Sequence, residues 1–184
     1  MAIPTRQERL DFWKHAYARA SFADAQVFIR EMLKMGLSID SPLRKAFSVA
    51  FITTYGRPFK QLKEVRTTID NIPPNFRTLH NEIILWRDKV VAHRDIAAPS
   101  DDWGFVNQLE FVVEGPEVAM NTSSIVLSDQ KATEIVPLLD ALIAALDEKI
   151  LAFGSEHFED IVHQSGTHIL CLKEGSANWT QRVR

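Results

Sequence analysis

The sequence predicts a mainly helical protein with one inserted β-hairpin, and three observations lead to this prediction. Apolar residues recur at spacings of three and four before residue 95 and after residue 129, as on the buried face of a helix. Between these stretches they alternate around a Gly-Pro turn signal, which is typical of a hairpin. Apolar residues make up 46% of the 184 residues, enough for a packed core, and only 7 Gly and 8 Pro disfavour a turn-rich all-β fold.

Two helices are expected in the first sixty residues. The first opens near Thr5 and is expected to end at Gly36, because glycine favours the position just after a helix. The second opens with Ser41 as N-cap and a proline at the first helical position. It is expected to end within residues 55–58, where the sequence Tyr-Gly-Arg-Pro contains two helix breakers.

The remaining elements follow from the same signals. Two prolines precede a third helix over about 75–93, the hairpin is expected at about 103–127, and a last helix over 129–153 is closed by a glycine. These assignments define a helical domain over 1–154. Residues 155–184 show no firm pattern and are expected to form a partly disordered C-terminal extension.

Charge and cysteine content exclude several classes of protein. Residues 1–70 hold 12 Lys and Arg against 7 Asp and Glu, whereas residues 101–160 hold 2 against 13, so an anionic ligand is expected on the first hundred residues. The formal net charge of -3 excludes a histone-like polycation, and the lone Cys171 excludes an intramolecular disulfide framework. A charged amino terminus and the lack of a membrane-length apolar run predict a cytoplasmic protein that does not bind membranes.

No metal site and no cofactor are expected. The chain has neither a Gly-rich phosphate loop nor a G-x-S-x-G nucleophile motif. The carboxy-terminal histidines have ligand chemistry, but their spacing matches no helical ligand pair: His157, His163 and His168.

The end of the third predicted helix carries the motif with the most chemical content. It reads Arg87-Asp88-Lys-Val-Val-Ala-His93, an arginine and a histidine separated by five residues. This run resembles the motif of the HEPN superfamily of small helical proteins. The segments Tyr55-Gly-Arg-Pro-Phe59 and Ala92-His-Arg-Asp95 are also similar to one bacterial branch, related to abortive-infection proteins. Asp88 stands where the family more often has asparagine, and the hairpin is an insertion relative to a minimal bundle.

The resemblance implies a bundle of four to five helices, commonly dimeric. It implies a metal-independent endoribonuclease in toxin–antitoxin, phage-defence or RNA-processing systems, with RNA and an antitoxin or other protein as partners. Two alternatives remain open: a non-catalytic protein of the same fold that binds a protein or nucleic acid, and a small-molecule or nucleotide sensor.

Metal-free RNA cleavage requires a base near neutral pKa and a cation on the phosphate, which are the roles predicted for His93 and Arg87. Five further residues are candidates. Asp88, Asp95 and His80 are predicted to support the Arg87–His93 site, and His80 is also a second candidate base. Arg57 and Arg94 are predicted to bind an anion.

Structural roles are weighed against these chemical ones. Arg87 is equally expected to pair with Asp88, Asp95 or Glu82, and Arg57 is better explained as a cap of the second helix's last carbonyls. His93 also suits the carboxyl end of a helix dipole.

Helix geometry adds a constraint, because residues six apart on an ideal helix lie about 120° apart around its axis. Either the helix loosens near Ala92, or the Arg87 and His93 side chains meet across the two-fold axis of a homodimer.

Overall fold

The structure, a computed structural model, describes residues 4–60, 66–88, 109–114, 117–122, 125–157, 167–169 and 180–182. Its helices are α1 (Arg6–Lys34), α2 (Pro42–Lys60), α3 (Arg77–Trp86) and α4 (Asp129–His157), with short 3₁₀ turns at Ile69–Asn71 and Pro74–Phe76. Its strands are β1 (Leu109–Glu114), β2 (Glu117–Thr122), β3 (Thr167–Ile169) and β4 (Thr180–Arg182). The prediction of a mainly helical protein is confirmed.

Helix α1 is the centre of the helical core and packs against both α2 and α4. It begins with a capping box, in which Thr5 accepts from the backbone N–H of Glu8 and the Glu8 carboxylate accepts from that of Thr5. Its buried apolar residues recur every three or four positions and form one stripe: Ala18, Phe22, Ala25, Ile29 and Met32. One continuous stripe therefore serves both neighbouring helices.

A buried arginine joins the start of α2 to the segment before α4. Arg44 is 3% exposed and donates to the backbone carbonyls of Leu127 and Leu37 and to the carboxylate of Asp129. The backbone N–H of Leu127 donates in turn to the hydroxyl of Ser48, 3.0 Å away. These bonds satisfy buried polar groups and fix the start of α4 against α2.

Helix α2 does not end where the sequence predicted. It continues through Gly56 and Pro58 to Lys60, so the helix end expected within residues 55–58 was wrong. Pro58 removes one backbone donor from the helix, a local cost of about 3 kcal/mol in a helix interior. Burial of Pro58 and Phe59 offsets this cost, because Phe59 packs against Phe22 of α1.

Helix α4 also exceeds its predicted length, because Gly154 lies inside the helix rather than ending it. The last turns are held by a ring contact with α1, in which Phe153 stacks on Phe12 with ring centroids 4.5 Å apart. Tertiary packing thus extends the helix past a residue that favours its end.

The segment between α3 and α4 contains a pair of antiparallel strands. Strand β1 pairs with β2 from Leu109 opposite Thr122 to Glu114 opposite Glu117, and β3 pairs with β4 in a separate two-stranded sheet. The rest of the range predicted as a hairpin, 103–108 and 115–116 among others, lies outside the described residues. None of the helices in the described part of the chain combines the length and apolar character needed to cross a membrane.

Candidate anion site at the ends of helices α2 and α3

The predicted site residues fall into two groups. Arg87 and Asp88 lie at the end of α3, His80 lies inside α3, and Arg57 lies in the last turns of α2. The other three lie outside the described residues: His93, Arg94 and Asp95. The structure therefore brings the last turns of α2 beside the end of α3. That Arg87 and His93 form one site stays a prediction, because His93 lies outside the described residues.

The side chain of Arg87 lies across the backbone of α2 at Gly56. A Cβ atom placed on Gly56 would lie 2.9 Å from Cγ of Arg87, a distance that real Cβ atoms essentially never show, and 3.2 Å from Cδ, a tight contact. Glycine at this position permits the close approach, as it commonly does where a side chain or backbone must pass. Gly56 thus leaves room for the Arg87 side chain, although Gly56 was expected to help end helix α2.

Asp88 bridges two cations from different helices. Its Oδ2 lies 2.6 Å from Nζ of Lys60, and its Oδ1 accepts from Nη1 of Arg87 at 2.9 Å. Burial alone would raise the pKa of Asp88, but hydrogen bonds from Lys60 and Arg87 outweigh it and lower the pKa below the usual carboxyl value. Asp88 is therefore ionised at neutral pH.

The end of α3 departs from regular α-helical geometry at these residues. Arg87 and Asp88 form a π-helical turn after Trp86. Arg87 itself keeps α-helical dihedral angles, with φ -58° and ψ -49°, and its long side chain reaches the carboxylate of the next residue, Asp88. Single π turns are wider than α turns and are frequent at functional sites. Loosening of the helix near Ala92 was one of the two alternatives that the sequence left open, and Ala92 lies outside the described residues.

His80 is a buried partner of Tyr55 rather than a solvent-facing base. It is 5% exposed, and its Nδ1 lies 2.9 Å from the hydroxyl of Tyr55 on α2. Burial, with a smaller contribution from the charge of Lys60, lowers the pKa of His80 to about 4. The neutral imidazole therefore shares this hydrogen bond with a protonated Tyr55 hydroxyl, because burial raises the pKa of that hydroxyl.

Other cations surround this site. Arg57 lies three residues before Lys60 on α2, so the two share a helix face. The described residues include no carboxylate within ion-pair distance of Arg57. Arg66 donates to the Lys60 backbone carbonyl at 3.2 Å and so caps α2, the role that the sequence analysis favoured for Arg57. Arg57, Lys60 and Arg87 together carry more positive charge than Asp88 neutralises.

Sequence reasoning identified Arg87 and Asp88 but underestimated three residues. Lys60 was not among the predicted site residues, and Gly56 and Tyr55 were interpreted as helix-ending residues. Of the predicted partners for Arg87, Asp88 is found, Glu82 pairs with Lys131 of α4 instead, and Asp95 lies outside the described residues. The spacing of Gly56 and Lys60, four residues apart on one helix, was the available signal that both face the same neighbour.

Comparison of the chain with protein-family models, with curated proteins and with solved structures found no match in any of the three. Within the described ranges, no three His, Cys, Asp or Glu side chains lie close enough together to hold a metal ion.

Proposed function

We propose that this protein is a HEPN-like RNA-acting protein that binds an RNA phosphate with Arg87 and cuts the chain with His93 as general acid or base. The observation that carries the proposal is the placement of Arg87. Its side chain is 24% exposed, held against Gly56 and fixed at a π turn beside Lys60. An arginine held in advance near the surface loses little freedom on binding a phosphate, which strengthens its hydrogen bonds to phosphoryl oxygens.

The proposed reaction needs no bound metal. A base removes the proton of the ribose 2′-OH, the 2′ oxygen attacks the adjacent phosphorus, and the bond to the 5′ oxygen breaks as that oxygen gains a proton. Negative charge grows on the two free phosphoryl oxygens, where Arg87 donates hydrogen bonds. His93 supplies one of these two proton transfers, as base or as acid, and solvent supplies the other, because a histidine near its ordinary pKa exchanges protons at neutral pH.

His80 is assigned a positioning role rather than that of a second base. With a pKa of about 4 it is a weak base at neutral pH, and its Nδ1 is occupied by Tyr55. It lies directly against Phe59, with ring centroids 4.6 Å apart. Together these contacts hold α3 on the last turns of α2, so they help to keep Arg87 over Gly56.

The architecture proposed for this function is a HEPN-like bundle formed by the four helices, with β1 and β2 as the inserted hairpin between α3 and α4. A homodimer with the end of α3 near its two-fold axis belongs to the same proposal, since two copies would then place two Arg87–His93 motifs close together. An RNA substrate and an antitoxin or other protein partner also belong to it.

The direct experiment incubates the purified full-length protein with total RNA in EDTA. We expect cleavage by the wild type, and its loss in Arg87→Ala and in His93→Ala, with a fall of roughly 10²–10⁴-fold for the histidine variant. Arg30→Ala is the matched control. Arg30 lies near the carboxyl end of α1 and pairs with Asp140 of α4, so its removal should leave cleavage unchanged.

Thermal unfolding of the same variants separates chemistry from folding. If wild-type protein cuts no RNA and Arg87→Ala and His93→Ala both melt several degrees lower, the two residues are structural and the proposed reaction is wrong.

One observation favours a second function, that of a non-catalytic binding module for nucleic acid, a nucleotide or a protein. Arg87 is already paired with Asp88, which satisfies part of its guanidinium without any ligand. Fluorescence anisotropy with a short RNA and with its 2′-deoxy analogue distinguishes the two functions. Binding of both without cleavage of either supports the binding module, whereas cleavage confined to the RNA supports the nuclease.

A further inference from the structure

We propose that Lys60 and Arg87 together bind one phosphate group of the ligand, and that the Asp88 carboxylate occupies this place in the free protein. This inference rests on the proposed function and deepens it, because it adds a second phosphate-binding residue and a competing internal anion. The ligand is defined by its chemistry, as a phosphate group with two free oxygens.

The geometry of Asp88 is the first argument. Each of its two oxygens is held by a different cation, one by Nζ of Lys60 at 2.6 Å and the other by Nη1 of Arg87 at 2.9 Å. A phosphodiester also presents two oxygens from one central atom, so it can satisfy the same two donors at once. The carboxylate therefore stands in the position that the two cations would offer to a phosphate.

The charge balance is the second argument. Two cations face one carboxylate, and Arg57 has no carboxylate partner in the described part of the chain. Among the described residues the site consequently keeps a positive excess even when Asp88 is ionised, and this excess favours binding of a further anion. A phosphate can replace Asp88 at the two cations, and the released Asp88 carboxylate then rotates toward the solvent.

Accessibility and mobility are the third argument. The side chains of Lys60, Arg87 and Asp88 are 34%, 24% and 30% exposed, so a ligand from solvent reaches all three. The Arg87 side chain lies against the backbone of α2 at Gly56, whereas Lys60 and Asp88 meet at the ends of their side chains. The exchange therefore requires two side chains to rotate and leaves the helices where they are.

The test compares anion binding by the full-length wild type, Asp88→Asn and Lys60→Met. The probes are inorganic phosphate, followed by NMR, and a short RNA and a DNA of the same sequence, followed by fluorescence anisotropy. Two charge-matched controls change the same residue types on another part of the surface. Asp140→Asn removes a carboxylate that pairs with Arg30, and Lys34→Met removes a lysine that pairs with Glu31.

We expect Asp88→Asn to bind every probe at least about threefold more tightly, since it removes the competing charge from two ion pairs. Lys60→Met should weaken binding and reduce the salt dependence of RNA binding by about 0.7 in the slope of log affinity against log salt. Both controls should match the wild type. Equal or weaker binding by Asp88→Asn would overturn the role of Asp88, and unchanged binding by Lys60→Met would overturn that of Lys60.

A measurement on the wild type keeps the inference testable if a variant fails to fold. Carboxyl NMR should show the pKa of Asp88 rising as phosphate is added, because the carboxylate then loses the hydrogen bonds from Lys60 and Arg87. An Asp88 pKa that does not change at saturating phosphate refutes the exchange. The phosphate arm needs no RNA cleavage, so an inactive protein that still shows the Asp88 effect refutes the nuclease and retains the site.

Discussion

The pair formed by His80 and Tyr55 predicts how the stability of the fold depends on pH. In the folded state the pKa of His80 is lowered to about 4, whereas an unfolded chain gives histidine about 6.5. The unfolded chain therefore binds more protons between these two values. Stability is fully present above pH 6.5, falls as the pH drops toward 4, and levels off below that. At 1.36 kcal/mol per pKa unit, the full loss is about 3 kcal/mol.

The substitution His80→Asn removes the titrating group but keeps a hydrogen-bonding group for the Tyr55 hydroxyl near the place of Nδ1. Urea unfolding of both proteins at pH 7, 6, 5 and 4 gives the free energy of unfolding at each pH. Other groups also titrate in this range, including His15, whose pKa burial lowers, and Asp88. Because both proteins contain them, the difference between the two curves isolates His80.

We expect the wild type to lose about 3 kcal/mol more than His80→Asn between pH 7 and pH 4. NMR titration of the imidazole provides an independent reading of the same shift. Parallel stability curves for the two proteins, or an imidazole that titrates near 6.5 in the folded state, would show that His80 is open to water. The positioning role assigned to it would then be wrong.

Three further predictions concern stability and are checked by urea or thermal unfolding. Arg44→Met should lower the free energy of unfolding by about 2–4 kcal/mol, since it leaves the buried carbonyl of Leu127 without its donor; an effect below 1 kcal/mol would contradict this. Gly154→Ala should raise it by about 0.5–1 kcal/mol, because no atom lies within 4 Å of the new Cβ. Gly56→Ala should raise the free energy of unfolding by less than Gly154→Ala does, or lower it, because the new Cβ displaces the Arg87 side chain. It should also weaken phosphate binding. A gain in stability equal to that of Gly154→Ala would refute the contact between Gly56 and Arg87.

Local signals in the sequence were sufficient for the helical character and for most helix starts. Thr5 caps α1, Pro42 is the first residue of α2, and α4 begins at the predicted Asp129. The ends of α2 and α4 were not predictable in the same way. A glycine or proline sets only a local cost, and the ring contacts of Phe59 and Phe153 exceed that cost.

The sequence by itself determined that Arg87 and Asp88 stand together at the end of a helix, because their separation along the chain is fixed. Only the tertiary structure decided which residues of α2 they meet. Lys60 lies 28 positions before Asp88, and no periodicity reports which turn of one helix faces which turn of another. That alignment depends on how the Tyr55, Phe59 and His80 side chains fill the space between α2 and α3. Close packing across a helix interface is a property of the assembled core, so the partners of Arg87 exist only once that core has formed.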